Sequence, residues 1–174
     1  MIKFVKPTIK YQKTFLAGVK EIQKVDKELH MDLQLLDLVA VKKDFKSYLK
    51  KIREREKGIN LPQGYISSSD YWLIVNNQFA GKAALRHKLT SDLKKSGGHI
   101  GYIIRPSFRK KGYGTKILQL ALLKAKKLGL KKVLMTCDDT NTGSQKIIEK
   151  NGGVLENKIM VNNKLKRRYW ISLE

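Results

Sequence analysis

The sequence predicts a mixed α/β (α+β) fold: a mostly antiparallel sheet, helices on both faces, and a central parallel strand pair. Three observations predict it. Asn76-Asn77 and Asn162-Asn163 each separate two apolar, β-rich runs, which is the signature of tight hairpins. Between them lies a strand–helix–strand unit, residues 100–137, whose ends must run parallel through a right-handed crossover. Helical apolar spacing fills the first third of the chain. With 174 residues, 41% of them hydrophobic, the chain suits one domain over 1–174 rather than a disordered polymer.

The elements follow in order. Residues 2–6 alternate apolar and basic side chains and read as an edge strand, ended by Pro7-Thr8. From residue 11 to about 28, Phe15, Leu16, Val19 and Ile22 recur at helical spacing. Residues 33–41 are apolar without a clear period. Asp44 caps a second helix carrying Phe45, Tyr48, Leu49 and Ile52 on one face and stopping near Gly58. Residues 61–70 have loop chemistry. Residues 71–75 and 79–87 form a hairpin, 88–97 a polar loop, and 99–104 a fourth strand closed by Arg105-Pro106. A strongly amphipathic helix covers about 114–128, with Gly129 at its stop position. Residues 132–137 read as a buried strand, 141–151 as a short helix, and 154–160 and 168–173 as two closing strands. Tyr71-Trp72 and Tyr169-Trp170 alternate within strands, so one of each pair is expected to face the core.

Composition narrows the function. There are 37 Lys+Arg against 15 Asp+Glu, a net charge of +22, which favours anionic partners. Nucleic acid is possible on charge, yet no nucleic-acid-binding motif supports it, and only seven of the basic residues are arginine. The single cysteine, Cys137, excludes an internal disulfide and a Cys-based zinc cluster, and three scattered histidines make no metal site. No apolar run is long enough to span a membrane, and lysines interrupt the first residues where a signal peptide would need an apolar core. A cytoplasmic, reducing location is expected. The oligomeric state is not legible. Cys137 ends an apolar strand and reads as a small buried hydrophobe. His30 reads as a surface residue.

One stretch has no acid at all. Residues 105–132 hold ten Lys/Arg and no Asp or Glu. Within it, Arg109-Lys110-Lys111-Gly112-Tyr113-Gly114-Thr115 lies between a strand and a helix start. A helix start presents unpaired N–H groups and a partial positive charge. Glycines at 112 and 114 allow close approach, and the basic side chains add attraction, so the segment reads as a diphosphate cradle. It is neither a Walker loop nor a dinucleotide fingerprint, since Ile117 stands where the third glycine belongs.

These residues resemble a known family. Tyr102-Ile103-Ile104-Arg105-Pro106 followed by Arg109-x-x-Gly112-x-Gly114 is similar to the acetyl-CoA signature of the GNAT N-acetyltransferases. Asn141-x-x-Ser144-x-x-Ile147-Ile148-x-Lys150-x-Gly152 is similar to a second motif of that family, and the order of elements fits its fold. Residues 97–102 and 150–157 also look like one subgroup of predicted bacterial acetyltransferases. The resemblance implies an N-acetyltransferase that moves the acetyl group of acetyl-CoA to a primary amine by direct attack in a ternary complex. It implies that the backbone amides of Arg109, Lys110, Lys111, Gly112, Tyr113, Gly114 and Thr115 hold the pyrophosphate, that the main chain of Tyr102, Ile103 and Ile104 pairs with the pantetheine arm, that Asn141 meets that arm or orders the site, and that Ser144 belongs to the same cofactor site. The thioester would sit where the fourth strand and the strand ending at Cys137 splay apart. The acceptor would be a small-molecule or peptide amine.

Two family features are missing. The tyrosine that commonly protonates the leaving sulfur falls at 148, where Ile148 stands; Tyr102, Tyr169, Cys137 or water could substitute. The glutamate common early on the fourth strand is absent, which leaves His99 as the candidate base. Arg86 and His87 are candidates for contact with the acceptor. Two alternatives stand beside the enzyme: a CoA-binding protein with impaired catalysis, and a basic nucleic-acid-associated protein.

Overall fold

The computed structural model describes residues 1–26 and 33–174. His30 lies outside the described residues. Strand β1 (Ile2–Val5) leads through a short 3₁₀ turn, Ile9–Tyr11, into α1 (Gln12–Val25), which buries Phe15, Val19 and Ile22 on one stripe. The unphased segment after residue 33 contains α2 (Leu38–Lys43), started by Asp37, whose carboxylate accepts the N–H groups of Val39 and Ala40. Asp44 caps α3 (Phe45–Lys57) through the Ser47 N–H, and Gly58 ends it at φ +74°.

Strand β2 (Ser68–Val75) starts three residues earlier than loop chemistry suggested. Two of its buried polar residues meet neighbours of opposite character: Asp70 forms an ion pair with Lys82 at 3.0 Å, and the Ser69 hydroxyl donates to Glu56 at 2.7 Å. An Asn76-Asn77 turn with both φ positive joins β2 to β3 (Gln78–Arg86), as a two-residue hairpin requires. The polar loop expected after β3 holds a short helix, α4 (Ser91–Lys95), capped by Thr90. Then come β4 (Ile100–Ile104), a 3₁₀ turn at Pro106–Phe108, α5 (Tyr113–Lys127), β5 (Lys132–Asp138), α6 (Thr142–Lys150), β6 (Val154–Val161) and β7 (Lys164–Ser172). The β6–β7 hairpin turns on Asn162-Asn163, again at positive φ.

The strands form two antiparallel sheets, ordered β1-β2-β3-β4 and β5-β7-β6. The expected parallel pair, β4 with β5, is reduced to a point contact. The His99 N–H donates to the Leu134 carbonyl at 2.8 Å, and the Leu134 N–H donates to His99 Nδ1 at 2.8 Å. Past that vertex no ladder joins the two strands among the described residues, so β4 keeps an open edge. Backbone groups there need another partner once water is excluded.

Helices cover both faces of the larger sheet. One core joins Phe15, Phe45, Trp72 and Phe79 under α1 and α3; the other joins Tyr71, Leu73, Ile117, Leu118, Met135 and Tyr169 under α5 and α6. Both Tyr71 and Trp72 are therefore buried, against the expectation of one, because β2 has a core on each side. Of the second pair, Tyr169 faces the core and Trp170 is half-buried.

Candidate active site

A cavity of about 660 Å³ opens between β4, the start of α5 and the start of α6. The residues on its walls include Tyr102, Ile103, Ile104, Arg109, Lys110, Gly112, Gly114, Thr115, Asn141 and Ser144, all expected at a cofactor site, together with Asp26, Gly143 and Ile147. Lys111, Tyr113, His99, Arg86 and His87 are not on its walls.

The turn after β4 is held rigidly from α1. Glu21 accepts the Arg105 Nε–H at 2.5 Å, the Ser107 N–H at 2.5 Å and the Ser107 hydroxyl at 3.1 Å. Burial pushes the Glu21 carboxyl up, but these hydrogen bonds and the Arg105 charge outweigh it and hold its pKa below the usual carboxylate value. Arg109 donates from Nε to the Ile104 carbonyl at 2.9 Å and grips both oxygens of Asp26 with its two terminal nitrogens. The acid-free stretch thus receives its acids from α1, about 85 residues earlier in sequence. Arg109 acts chiefly as a brace for the turn, since its charge is matched by Asp26. Sequence reading missed Asp26 and Glu21 because nothing local marks a pairing at that separation.

Past the brace, the chain offers donors. Lys110 sits at φ +57°, the only non-asparagine side chain at positive φ among the described residues, and its ammonium is exposed. Such backbone strain collects at functional turns. Gly112 is the N-cap of α5 at φ +79°, and no side chain caps the helix. The first intrahelical bond runs from the Lys116 N–H to the Gly112 carbonyl. The N–H groups of Tyr113, Gly114 and Thr115 therefore have no partner within the helix and carry the positive end of its dipole. Gly114 is also placed against a neighbouring helix. A Cβ there would lie 2.5 Å from Ile147 Cδ1, so its small size lets α5 pack against α6.

The open edge of β4 completes the wall. The Arg105 N–H bonds the Ala80 carbonyl, and the Arg86 N–H bonds the His99 carbonyl, so odd-numbered residues of β4 face β3. Antiparallel ladders alternate, which turns the main chain of Tyr102 and Ile104 outward and that of Ile103 inward. The Ile103 main chain is thus spent on the ladder. On the far wall, Asn141 Oδ1 accepts the Ser144 N–H at 2.9 Å and caps α6.

The remaining candidates sit elsewhere. His99 is buried at the vertex. Burial, then the Arg86 charge, lowers its pKa, and the Leu134 N–H occupies Nδ1. Arg86 donates to the carbonyls of Gly97 and Gly98 and orders the entry to β4. His87 lies 2.9 Å from the Ser69 hydroxyl, in a network with Glu56 and Lys6. Ile148 is 1% exposed and packs in the core. Cys137 is buried, and burial pushes its thiol up to about 11, so it is not a thiolate nucleophile. No cluster of three or more His, Cys, Asp or Glu among the described residues is arranged to hold a metal ion, and no helix among them is long and apolar enough to cross a membrane.

The model of the acetyltransferase (GNAT) domain matches residues 32–154. The chain belongs to the GNAT acetyltransferase family. It is accordingly an acetyl-CoA-dependent N-acetyltransferase. No curated protein matches it in sequence. Its fold is similar to that of RimL, described as a ribosomal L7/L12 α-N-protein acetyltransferase in complex with coenzyme A: TM-score 0.69, 15% identity, covering 98% of this chain and 93% of that one. It is similar to the microcin C7 self-immunity acetyltransferase MccE in complex with acetyl-CoA and AMP, at TM-score 0.70 and 14% identity over 99% and 92% of the two chains. A GNAT acetyltransferase from Streptococcus pneumoniae matches at TM-score 0.67 and 13% identity over 100% of both. At these identities the likeness concerns the fold of the acetyltransferase, not its acceptor.

Proposed function

We propose that acetyl-CoA binds in the cavity with its diphosphate on the N–H groups of Tyr113, Gly114 and Thr115, and that a primary amine attacks its thioester directly in a ternary complex. The observation that carries this is the uncapped start of α5 opening into the same cavity as the unpaired edge of β4. Lys110 supplies charge at the mouth, and Arg109 keeps the turn in place. The outward main chain of Tyr102 and Ile104 pairs with the pantetheine arm, while Asn141 and Ser144 close the other side. When bound, the cosubstrate supplies an activated acetyl carbon. An outward N–H of β4 is placed to stabilise the developing oxyanion.

His99 serves as a clamp in this reading. With Nδ1 accepting the Leu134 N–H, the neutral ring carries its proton on Nε2 and offers no free lone pair to an ammonium. Water then takes the proton of the incoming amine. The acceptor class is open between protein N-termini and small amines. Fold neighbours include RimL and a spermidine N-acetyltransferase chimera, so both belong in the test.

Calorimetry with acetyl-CoA, followed by release of free CoA across a panel of spermidine, amino acids and short peptides with free N-termini, tests the proposal. Saturable binding and amine-dependent release are expected. Binding without release from any amine would favour a catalytically impaired CoA-binding protein, a reading to which Ile148 lends weight.

A further inference from the structure

We propose that the outer face of α5 is a docking surface for a nucleic-acid duplex, held by its phosphate backbone without readout of sequence. The stretch around this helix, residues 105–132, has ten Lys/Arg and no acid. Arg105 and Arg109 are matched by Glu21 and Asp26 from α1. The other eight are lysines, and none of them pairs with a carboxylate among the described residues.

The helix sorts these charges by face. Its apolar stripe, from Ile117 to Ala125, is buried in the core. Lys124 lies over the Tyr71 ring and Lys132 over the Trp170 ring. Lys116, Lys126 and Lys127 are exposed on the opposite side, with Gln119 and Leu123 between them. Lys116 and Lys127 stand about 16 Å apart along the axis, at the rise of an α-helix. None of these side chains lines the cavity.

Other basic elements carry their acids with them. On α3, Lys50 pairs with Glu54, and Glu56 lies in the next turn. On β7, Lys166, Arg167 and Arg168 meet Asp138, Asp139 and Glu156. The outer face of α5 is a row of cations with no anion to balance it. A polyanion that docks there releases its condensed counterions, which is the main sequence-independent source of affinity for nucleic acid.

The chemistry of the row selects the partner. Lysine is a point charge and lacks the fork with which arginine reads base edges, so the contacts are to phosphate. A single strand is held largely by stacking its bases on aromatic side chains, and this face has none. A membrane surface takes up a helix by its apolar face, which α5 has placed in the core. Only Leu123 and Leu128, 55% and 45% exposed, remain for lipid on this helix and its cap.

Two triple variants of equal charge change test the surface. One joins Lys116→Gln, Lys126→Gln and Lys127→Gln on α5. The other joins Lys46→Gln, Lys50→Gln and Lys51→Gln on α3, whose lysines are also exposed. Thermal melts first establish that both fold as the parent does. Fluorescence anisotropy then follows binding of short RNA and DNA duplexes of two unrelated sequences across a range of salt, with and without excess CoA. In the parent, log affinity should fall linearly with log salt, alike for the two sequences. The α5 triple should make that slope shallower by about 0.9 for each lysine that faces a phosphate, and the α3 triple should leave it unchanged. Excess CoA should leave duplex binding in place.

Equal losses in the two triples overturn the proposal, because the field of the whole chain would then be the cause. Absence of duplex binding by the parent overturns it outright. Tighter binding of single-stranded RNA than of the duplex does so too, as does displacement of the duplex by CoA, which would put it in the cavity. Binding to phosphatidylserine–phosphatidylcholine vesicles that the α5 triple abolishes, with duplex binding unchanged, would make the face a membrane contact. The comparison of the two triples stands without CoA, so its outcome is separate from that of the acetyl-CoA site.

Discussion

Gly112 offers the sharpest perturbation of the diphosphate cradle. It caps α5 at φ +79°, ψ −5°, and a Cβ built there meets no heavy atom within 4 Å. Space is not the obstacle to a side chain; left-handed backbone is, at about 1–2 kcal/mol for an ordinary residue. Gly112→Glu adds that strain and a carboxylate at the helix start, where an anion is to bind. Two unit charges 4 Å apart repel by about 1 kcal/mol in water and about 4 kcal/mol at an effective dielectric of 20. The cavity is partly open, so about 3 kcal/mol against the diphosphate is expected, a loss of affinity on the order of 100-fold. Gly112→Ala shares the strain without the charge. It should lose about 1 kcal/mol of stability in a denaturant melt and little acetyl-CoA affinity. Calorimetry on parent, alanine and glutamate proteins reads the difference. Equal affinity in the glutamate and alanine variants would refute an anion site at this helix start.

Four further outcomes are expected. Arg109→Ala and Asp26→Ala should each weaken acetyl-CoA binding, and a double-mutant cycle should show coupling of about 1 kcal/mol, because each loses the same brace; additive effects would deny it. Gly98→Ala should cost more stability than Gly112→Ala in the same melt, since its Cβ would fall 2.4 Å from the Leu134 carbonyl and wedge the vertex open. Ile148→Tyr should lower stability by about 1–3 kcal/mol through overpacking, with no gain in CoA release, because the site is 1% exposed and crowds Gly153. His99, buried and with its pKa lowered, binds protons more readily unfolded than folded, so stability should fall as pH drops below about 6.5 towards the folded value. Melting temperature against pH should lose part of that slope in His99→Gln; an unchanged slope would assign it to other groups.

Local signals made most of the fold legible. The asparagine pairs at 76–77 and 162–163 take the positive φ that tight hairpins need, Asp44 and Gly58 bound α3, and the turn at 109–115 reads correctly as an uncapped helix start. What escaped depends on distance in sequence. The start of β2 reads as loop because Ser68, Ser69 and Asp70 are polar, yet Glu56 and His87 lie within hydrogen-bond distance of the Ser69 hydroxyl and Lys82 balances the Asp70 charge from other elements. The bracing of Arg105 and Arg109 by Glu21 and Asp26 has no local mark. The crossover behind the expected parallel pair exists, but the backbone hydrogen bond between these segments falls at His99 and Leu134, and no ladder follows it among the described residues. Gly114 lies on the cavity wall and also against Ile147 of α6, a packing contact that a glycine motif does not reveal.

The central claim is most directly tested by a crystal structure of the chain with CoA. The diphosphate oxygens should lie within hydrogen-bond distance of the backbone nitrogens of Tyr113, Gly114 and Thr115, with the pantetheine arm along the outer edge of β4. Density for the ligand outside this cavity, with the α5 start bonded only to solvent, would contradict the account.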